Sequence, residues 1–406
     1  MDDRREIQAG QVEWLDLGPA EPVERIGQQG PRRRPWYLLA GVVAVAVILI
    51  AALNHGKKQP TASNSPSQSP SAIVTDSGSS TSPAAPSSSA SVAVTSLGHR
   101  VLDVPADWVL FARGPDSLLR IELARGRVTR TAVPELDNGS GVSFVIGPDR
   151  VLALTVDAQG GYEVPDGLPT RDLRPPFGAG GPVLPGPDPA HVWVPTGGAE
   201  NSAMTLVGFD GRRTGRTIRV PNGIGTAESD RAGYLRFYAT GGVYEARPEG
   251  VKRITTGALL ASGPTRWLTE ECDAEFRCAT NTIDRRSGAR HTVAASNGNY
   301  TFSGYSDGVI SADGAFAAIA RDDQQEGRLK LELLDLATGA VRDTGVFLNP
   351  DTAFNGGGVI AWSPDSRWLF IAAQGGRLLV LDRTTMRATE LPGSLPFVSQ
   401  VGLRTG

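Results

Sequence analysis

Apolar positions in this chain follow two patterns. Between Trp36 and Leu53 they are unbroken, eighteen residues without a charge. As a helix rising about 1.5 Å per residue, the run spans about 27 Å, close to the ~30 Å hydrocarbon core of a bilayer. A lone strand of the same residues could not satisfy its backbone in lipid, so the run predicts one transmembrane helix over 36–54. From residue 97 to 406 the apolar residues come instead in short strand-like runs, separated by Gly, Asp, Ser and Pro turns. That alternation predicts an all-β domain.

The β region repeats itself. One element is an apolar strand, a tight polar turn and a second strand. It is clearest at Leu329–Asp335 with Thr338 and Gly339, and recurs at Asp284 with Ser287 and Gly288, at Asp210, at Asp382 and, in degenerate form, from Leu118 to Gly126. A carboxylate at such a turn can accept from the turn backbone, and Gly accepts positive φ. A second element is a short strand led by Trp108, Trp193, Trp267 or Trp368, with Tyr234 and Phe316 in equivalent places. Turns of Ser311–Gly314 type precede it, and Asp365 lies in one of them. Asp210, Asp284, Asp335, Asp365 and Asp382 are therefore expected to be structural turn residues. Trp108 and Trp368 lie 260 positions apart. Six steps of roughly 43 residues fall in the range of propeller blades. The expected unit boundaries are 97–137, 138–178, 179–222, 223–256, 257–297, 298–349 and 350–406. The expected fold is thus a β-propeller of seven four-stranded blades, with six or eight left open, preceded by the transmembrane helix and a linker. The second unit is the weakest, because Gly160 to Gly181 is rich in Pro and Gly.

The Ser363–Trp368 turn and strand and the Asp335–Gly339 turn resemble those of bacterial WD40-like and TolB-like β-propellers. The resemblance covers 97–406 at the level of the repeat and implies an architecture, not an activity. The Trp-Asp and Gly-His pairs of strict WD40 repeats are absent. The order of segments also resembles single-pass membrane proteins of actinobacteria.

The flanks of the apolar run set its orientation. Arg25, Arg32, Arg33 and Arg34 precede it, and Lys57 and Lys58 follow. This excess favours a cytoplasmic N-terminus and an extracellular C-terminal domain at the cell membrane. The run is long for a secretory h-region, and Leu53 to His55 makes a poor cleavage site, so retention is expected over removal. Residues 1–35 are expected to be a disordered cytoplasmic tail, with Trp14, Leu15 and Leu17 as its one apolar cluster. Residues 55–96, mostly Ser, Pro, Ala and Thr, are expected to be a disordered linker, too poor in apolar surface to offset ordering entropy. Cys272 and Cys278 form an isolated pair on the outer side, which predicts a disulfide closing a short hairpin.

No chemistry stands out. His99, His191 and His291 lie in separate strands without metal-ligand spacing, so no metal or cofactor is expected. There is no nucleophile elbow. Asp322–Asp323 and the cluster Glu270, Glu271, Asp273 and Glu275 could meet calcium or a basic partner, but solvated loops account for them better. A net charge of −3 and the absence of basic runs with aromatics in the β region argue against nucleic acid. The expectation is a non-enzymatic module, anchored in the lipid bilayer through 36–54, that binds, senses or scaffolds a protein, peptide or glycan of the cell envelope. The alternative is a carbohydrate-active hydrolase or lyase with its site in the propeller channel.

Overall fold

The computed structural model describes residues 12–13 and 91–406, apart from 135, 137–141, 156–159, 178–182, 197–202, 220–227, 230–232, 234, 240, 248–249, 276, 296–307, 324–327, 350–357 and 392–396. The expected helix at 36–54, the rest of the 1–35 tail, residues 55–90 of the linker, Trp14, Leu15, Leu17 and Tyr234 lie outside the described residues. No helix among the described residues is long and apolar enough to cross a membrane.

The described chain is almost entirely antiparallel sheet, with a single 3-10 turn at Gln374–Gly376. Small sheets follow one another in sequence. They comprise 142–172, 184–219, 228–255, 258–295, 308–348 and 360–390, together with one sheet built from both parts of the β region. That last sheet runs, from inside outward, Gln400–Arg404, Val109–Arg113, Ser117–Glu122, Arg127–Ala132 and Val92–Ser96. First strands of successive sheets lie beside one another. Ala258–Ser262 even pairs in parallel with Gly308–Ile310. These features define a β-propeller, in which sheets stand radially around an axis and their first strands line it.

The closing sheet corrects two expected boundaries. Residues 400–404 were assigned to the last unit, yet they pair with Val109–Arg113 and supply the inner strand of the first. Residues 92–96 were assigned to the linker, yet they pair antiparallel with Arg127–Ala132 as the outer strand of that sheet. Chain ends that flank the ring in sequence thus meet in one sheet. Separately, Val12–Glu13 pairs in parallel with the outer edge of the 184–219 sheet, at Thr217 and Ile218.

Period-2 geometry explains why these strands read as unbroken apolar runs. Successive side chains on Val109–Arg113 point to opposite faces. Leu110 and Ala112 pack with Phe370, Leu378 and Val380 of the 360–390 sheet, while Val109 and Phe111 pack with Val151, Ala153 and Tyr162 of the 142–172 sheet. All five residues are buried. Equivalent apolar clusters fill each successive gap between sheets. The tryptophans that mark the repeat lie there: Trp193 faces Leu235 and Phe237, and Trp267 faces Val243 and Ile254.

The polar turns close the third-to-fourth-strand hairpins. Asp335 Oδ1 accepts from the backbone N–H of Ala337 and Thr338 at 3.0 and 2.9 Å. Asp284 Oδ1 accepts from Arg286 and Ser287, Asp382 Oδ1 from Thr384 and Thr385, and Asp210 Oδ1 from Arg212. Gly288 and Gly339 both take φ of 73°, the left-handed region such turns require. Asp365 lies in a first-to-second-strand turn, where it accepts from Ser363 Oγ and the Arg367 N–H. Antiparallel alternation puts both kinds of turn at one end of the propeller.

The hydrogen bond from the Thr338 N–H holds the Asp335 carboxyl below the ordinary aspartate pKa, although burial opposes it. A depressed folded pKa contributes stability that is full above the unfolded value and is lost as pH falls through the folded one. Asp335→Ala is expected to destabilise the protein by about 1 kcal/mol at neutral pH. Asp335→Asn, which keeps an acceptor, should lose less. In urea titrations the gap between wild type and Asp335→Asn should narrow from pH 7 to pH 3; a gap independent of pH would refute the charge term.

Candidate functional site

The Gln400–Arg404 strand is innermost in its sheet, so Arg404 stands at one mouth of the axial channel. A cavity of about 530 Å³ opens there. It is lined by Asp107, Arg120, Glu122, Arg125 and Arg404, and by Pro148 and Pro189 from the first-to-second-strand turns of the next two sheets.

Its charged groups form a chain of alternating sign. Arg125 Nη1 donates to Glu122 Oε2 at 3.1 Å, and Arg120 Nη1 to Glu122 Oε1 at 2.6 Å. Arg120 Nε lies 3.3 Å from Asp166, which also receives both terminal nitrogens of Arg404. Arg404 Nη1 donates in addition to the Gly147 carbonyl at 3.1 Å, and the guanidinium lies 4.9 Å over the Phe111 ring. Asp166 sits in the third-to-fourth-strand turn of the 142–172 sheet, so the chain ties that sheet to the closing one. Arg125 is the exposed end of it, with its side chain 66% accessible.

This arrangement limits the chemistry. Burial alone pushes the Glu122 pKa up, but the hydrogen bonds and charges of Arg120 and Arg125 outweigh it and hold the carboxyl below its ordinary value. Both its oxygens are occupied. A glycosidase needs one carboxyl protonated near neutral pH as general acid. Glu122 is tuned the other way. The pocket presents an ionised, hydrogen-bonded wall with one solvent-facing guanidinium, suited to holding a polar ligand.

Other sequence candidates lie apart from the pocket. Cys272 and Cys278 are register partners across a second-to-third-strand hairpin, with Cα atoms 3.9 Å apart, and are joined through sulfur. With Glu270 they bring three donor atoms within 4.8 Å, but two of these are engaged in the sulfur–sulfur bond. The acidic residues around them have protein partners. Glu271 accepts from Arg290 and Thr255, and Asp273 from the backbone N–H groups of Glu275 and Arg277. His99 is exposed in the bend after Val92–Ser96, and His291 is exposed on the 258–295 sheet.

His191 has a carboxylate partner, since its Nδ1 lies 2.7 Å from Asp188 in the turn beside Pro189. The Asp-x-x-His spacing was the available signal. Nothing local could have announced the Glu122–Arg120–Asp166–Arg404 chain, whose members come from three separate parts of the sequence.

No protein-family model matches the chain, and no curated protein matches it. Solved structures do. A functionally unknown protein from Desulfotomaculum acetoxidans aligns at 12% identity over 73% of this chain and 98% of its own, with a TM-score of 0.45. TolB from Acinetobacter baumannii aligns at 14% identity over 75% and 86%, with a TM-score of 0.36. An oligogalacturonate lyase in complex with manganese aligns at 11% identity over 75% and 91%, with a TM-score of 0.46. Likenesses this distant carry no argument about ligand, partner or activity.

The pocket's ion chain yields a stability test. Asp166→Ala strands Arg404 with a single carbonyl acceptor and is expected to cost about 2–3 kcal/mol in denaturant unfolding. Arg404→Met, which still covers Phe111, should cost less than Asp166→Ala. The reverse order would show that the pair is incidental to joining the two sheets.

Proposed function

We propose that this protein is a membrane-anchored, extracytoplasmic β-propeller that binds an envelope protein, peptide or glycan and does not transform it. The observation that carries the reading is the state of the channel-mouth carboxylates: Glu122 and Asp166 are each held by two guanidiniums, and those on Glu122 keep its carboxyl below its ordinary value, which suits recognition rather than proton donation. The reading takes seven blades, as the repeat suggests; among the described residues, four separate sheets and three joined in one continuous sheet support that number. The anchor is the apolar run at 36–54, with the tail inside, residues 55–90 as spacer and the propeller outside. In that oxidising compartment the Cys272–Cys278 bond would persist.

Two experiments test this. A photo-crosslinking residue at Arg125, in the full chain in its native membrane, is expected to capture one envelope component, with little capture from Val341 on the outer surface. Equal capture at both positions, or steady turnover of a wall polysaccharide by the purified protein, would overturn the binding reading. Protease added to intact cells should remove the propeller and spare an N-terminal tag. The pairing of Val12–Glu13 with the propeller edge requires the opposite, tail and head on one side; digestion of both would remove the anchor from the proposal.

A further inference from the structure

At the opposite end of the same strand pair stands an arginine that has no carboxylate partner among the described residues. Arg113 closes Val109–Arg113 and is only 2% exposed. Its register partner is Gln400, at the head of the channel-lining strand. Nε donates to Tyr162 Oη at 3.2 Å, and Nη1 reaches Ser399 Oγ at a long 3.5 Å. Ser399 directs its own hydroxyl and N–H to the Arg113 carbonyl, at 3.0 and 2.8 Å. Nη2 is buried and has no hydrogen-bond partner. Among the described residues, no carboxylate lies within ion-pair distance of the guanidinium.

A donor count makes the imbalance concrete. A guanidinium has five N–H groups and accepts nothing. Two of the five are used here, both on neutral hydroxyls. The Tyr162 oxygen accepts from Arg113, so its O–H proton is a further donor at the same place. Burial pushes the Tyr162 pKa up against the opposing pull of Arg113, so the phenol keeps that proton. A buried lysine could escape such a setting by losing its charge, whereas an arginine cannot. An uncompensated buried ion is strongly unfavourable, and a partner supplying acceptor oxygens relieves it.

We propose that Arg113, Tyr162 and Ser399 form a receptor for a single carboxylate. A planar carboxylate matches the free guanidinium edge with two parallel hydrogen bonds, and one guanidinium balances one negative charge. The inference goes beyond the binding reading above: it adds a separate recognition element at the mouth opposite the ion-paired pocket, independent of capture at Arg125.

The test uses the full chain in detergent with glucuronate as probe, acetate as the minimal carboxylate and glucose as the uncharged control. Glucuronate is expected to bind saturably by calorimetry and to raise the unfolding temperature, and acetate to do so more weakly. Glucose should do neither. Arg113→Met should abolish binding, while Tyr162→Phe and Arg113→Lys should weaken it about tenfold. Without ligand, Arg113→Met should be at least as stable as wild type, because it removes an unbalanced buried charge. Three results would overturn the proposal: no saturable binding of either carboxylate, the same binding in Arg113→Met, or a matching saturable response to chloride, meaning an adventitious ion only. A marked loss of stability in unliganded Arg113→Met would also sink it, since the protein would then be supplying the counter-charge itself. Success in cross-linking with failure here would remove this inference and leave the binding reading standing.

Discussion

Each sheet of this protein buries both of its faces against its two neighbours, and no sheet has a core of its own. That constraint accounts for most of the rest. It makes the second and third strands of a sheet apolar on both sides, as in Trp368–Ala373 and residues 378–381. It also demands that the row of sheets close, because an open row would leave two apolar faces in water, at about 25 cal/mol per Å². Closure is achieved by Gln400–Arg404 joining Val109–Arg113, which completes the cluster of Trp108, Leu110, Phe370, Val380 and Val401. The strand that closes the ring therefore also carries residues to both mouths of the channel, Ser399 and Gln400 at one and Arg404 at the other.

Apolar contact between sheets is nondirectional, so other groups must set how neighbours align. Polar bridges across the same gaps supply that direction. Arg285 donates to Glu245 of the preceding sheet at 2.7 Å while lying 4.7 Å over the Trp267 ring. Trp193 Nε1 donates to the Gly233 carbonyl and Trp362 Nε1 to the Val309 carbonyl, each at 3.0 Å. Arg383 donates to Asp313, whose own N–H meets Ser366 Oγ. Buried pairs of this kind often add little net stability, because desolvation offsets the attraction. Their effect is geometric, since each is satisfied only in one alignment of the two sheets.

What could be read in the sequence follows from how local each feature is. The hairpin turns at Asp284 and Asp335 were legible because donor and acceptor lie within three residues. The repeat was legible because Trp193 and Trp267 occupy equivalent strands facing equivalent gaps. The hairpin of Cys272 and Cys278 was legible from spacing alone. The closing strand was not, because Gln400–Arg404 continues the apolar rhythm of the unit before it and pairs with residues almost three hundred positions earlier. Val92–Ser96 was taken into the linker because its strand is exposed along most of its length and has no apolar face to betray it. The site residues were illegible for the same reason as the closure. Arg120, Asp166 and Arg404 are ordinary surface-type residues until the ring brings them together.

The two mouths differ in a way that bears on function. At one, Glu122 and Asp166 are each held by two guanidiniums, so most of the charge in the pocket wall is paired. At the other, Arg113 and Tyr162 present donors that meet no anion among the described residues, behind the first residues of the channel-lining strand. Both arrangements hang on the same pair of strands, the one that closes the ring. A fold whose closure strand touches a balanced mouth and an unbalanced one has its two ends mechanically joined. Occupation of the unbalanced end would strengthen the pairing of Val109–Arg113 with Gln400–Arg404, and with it the sheet that closes the ring.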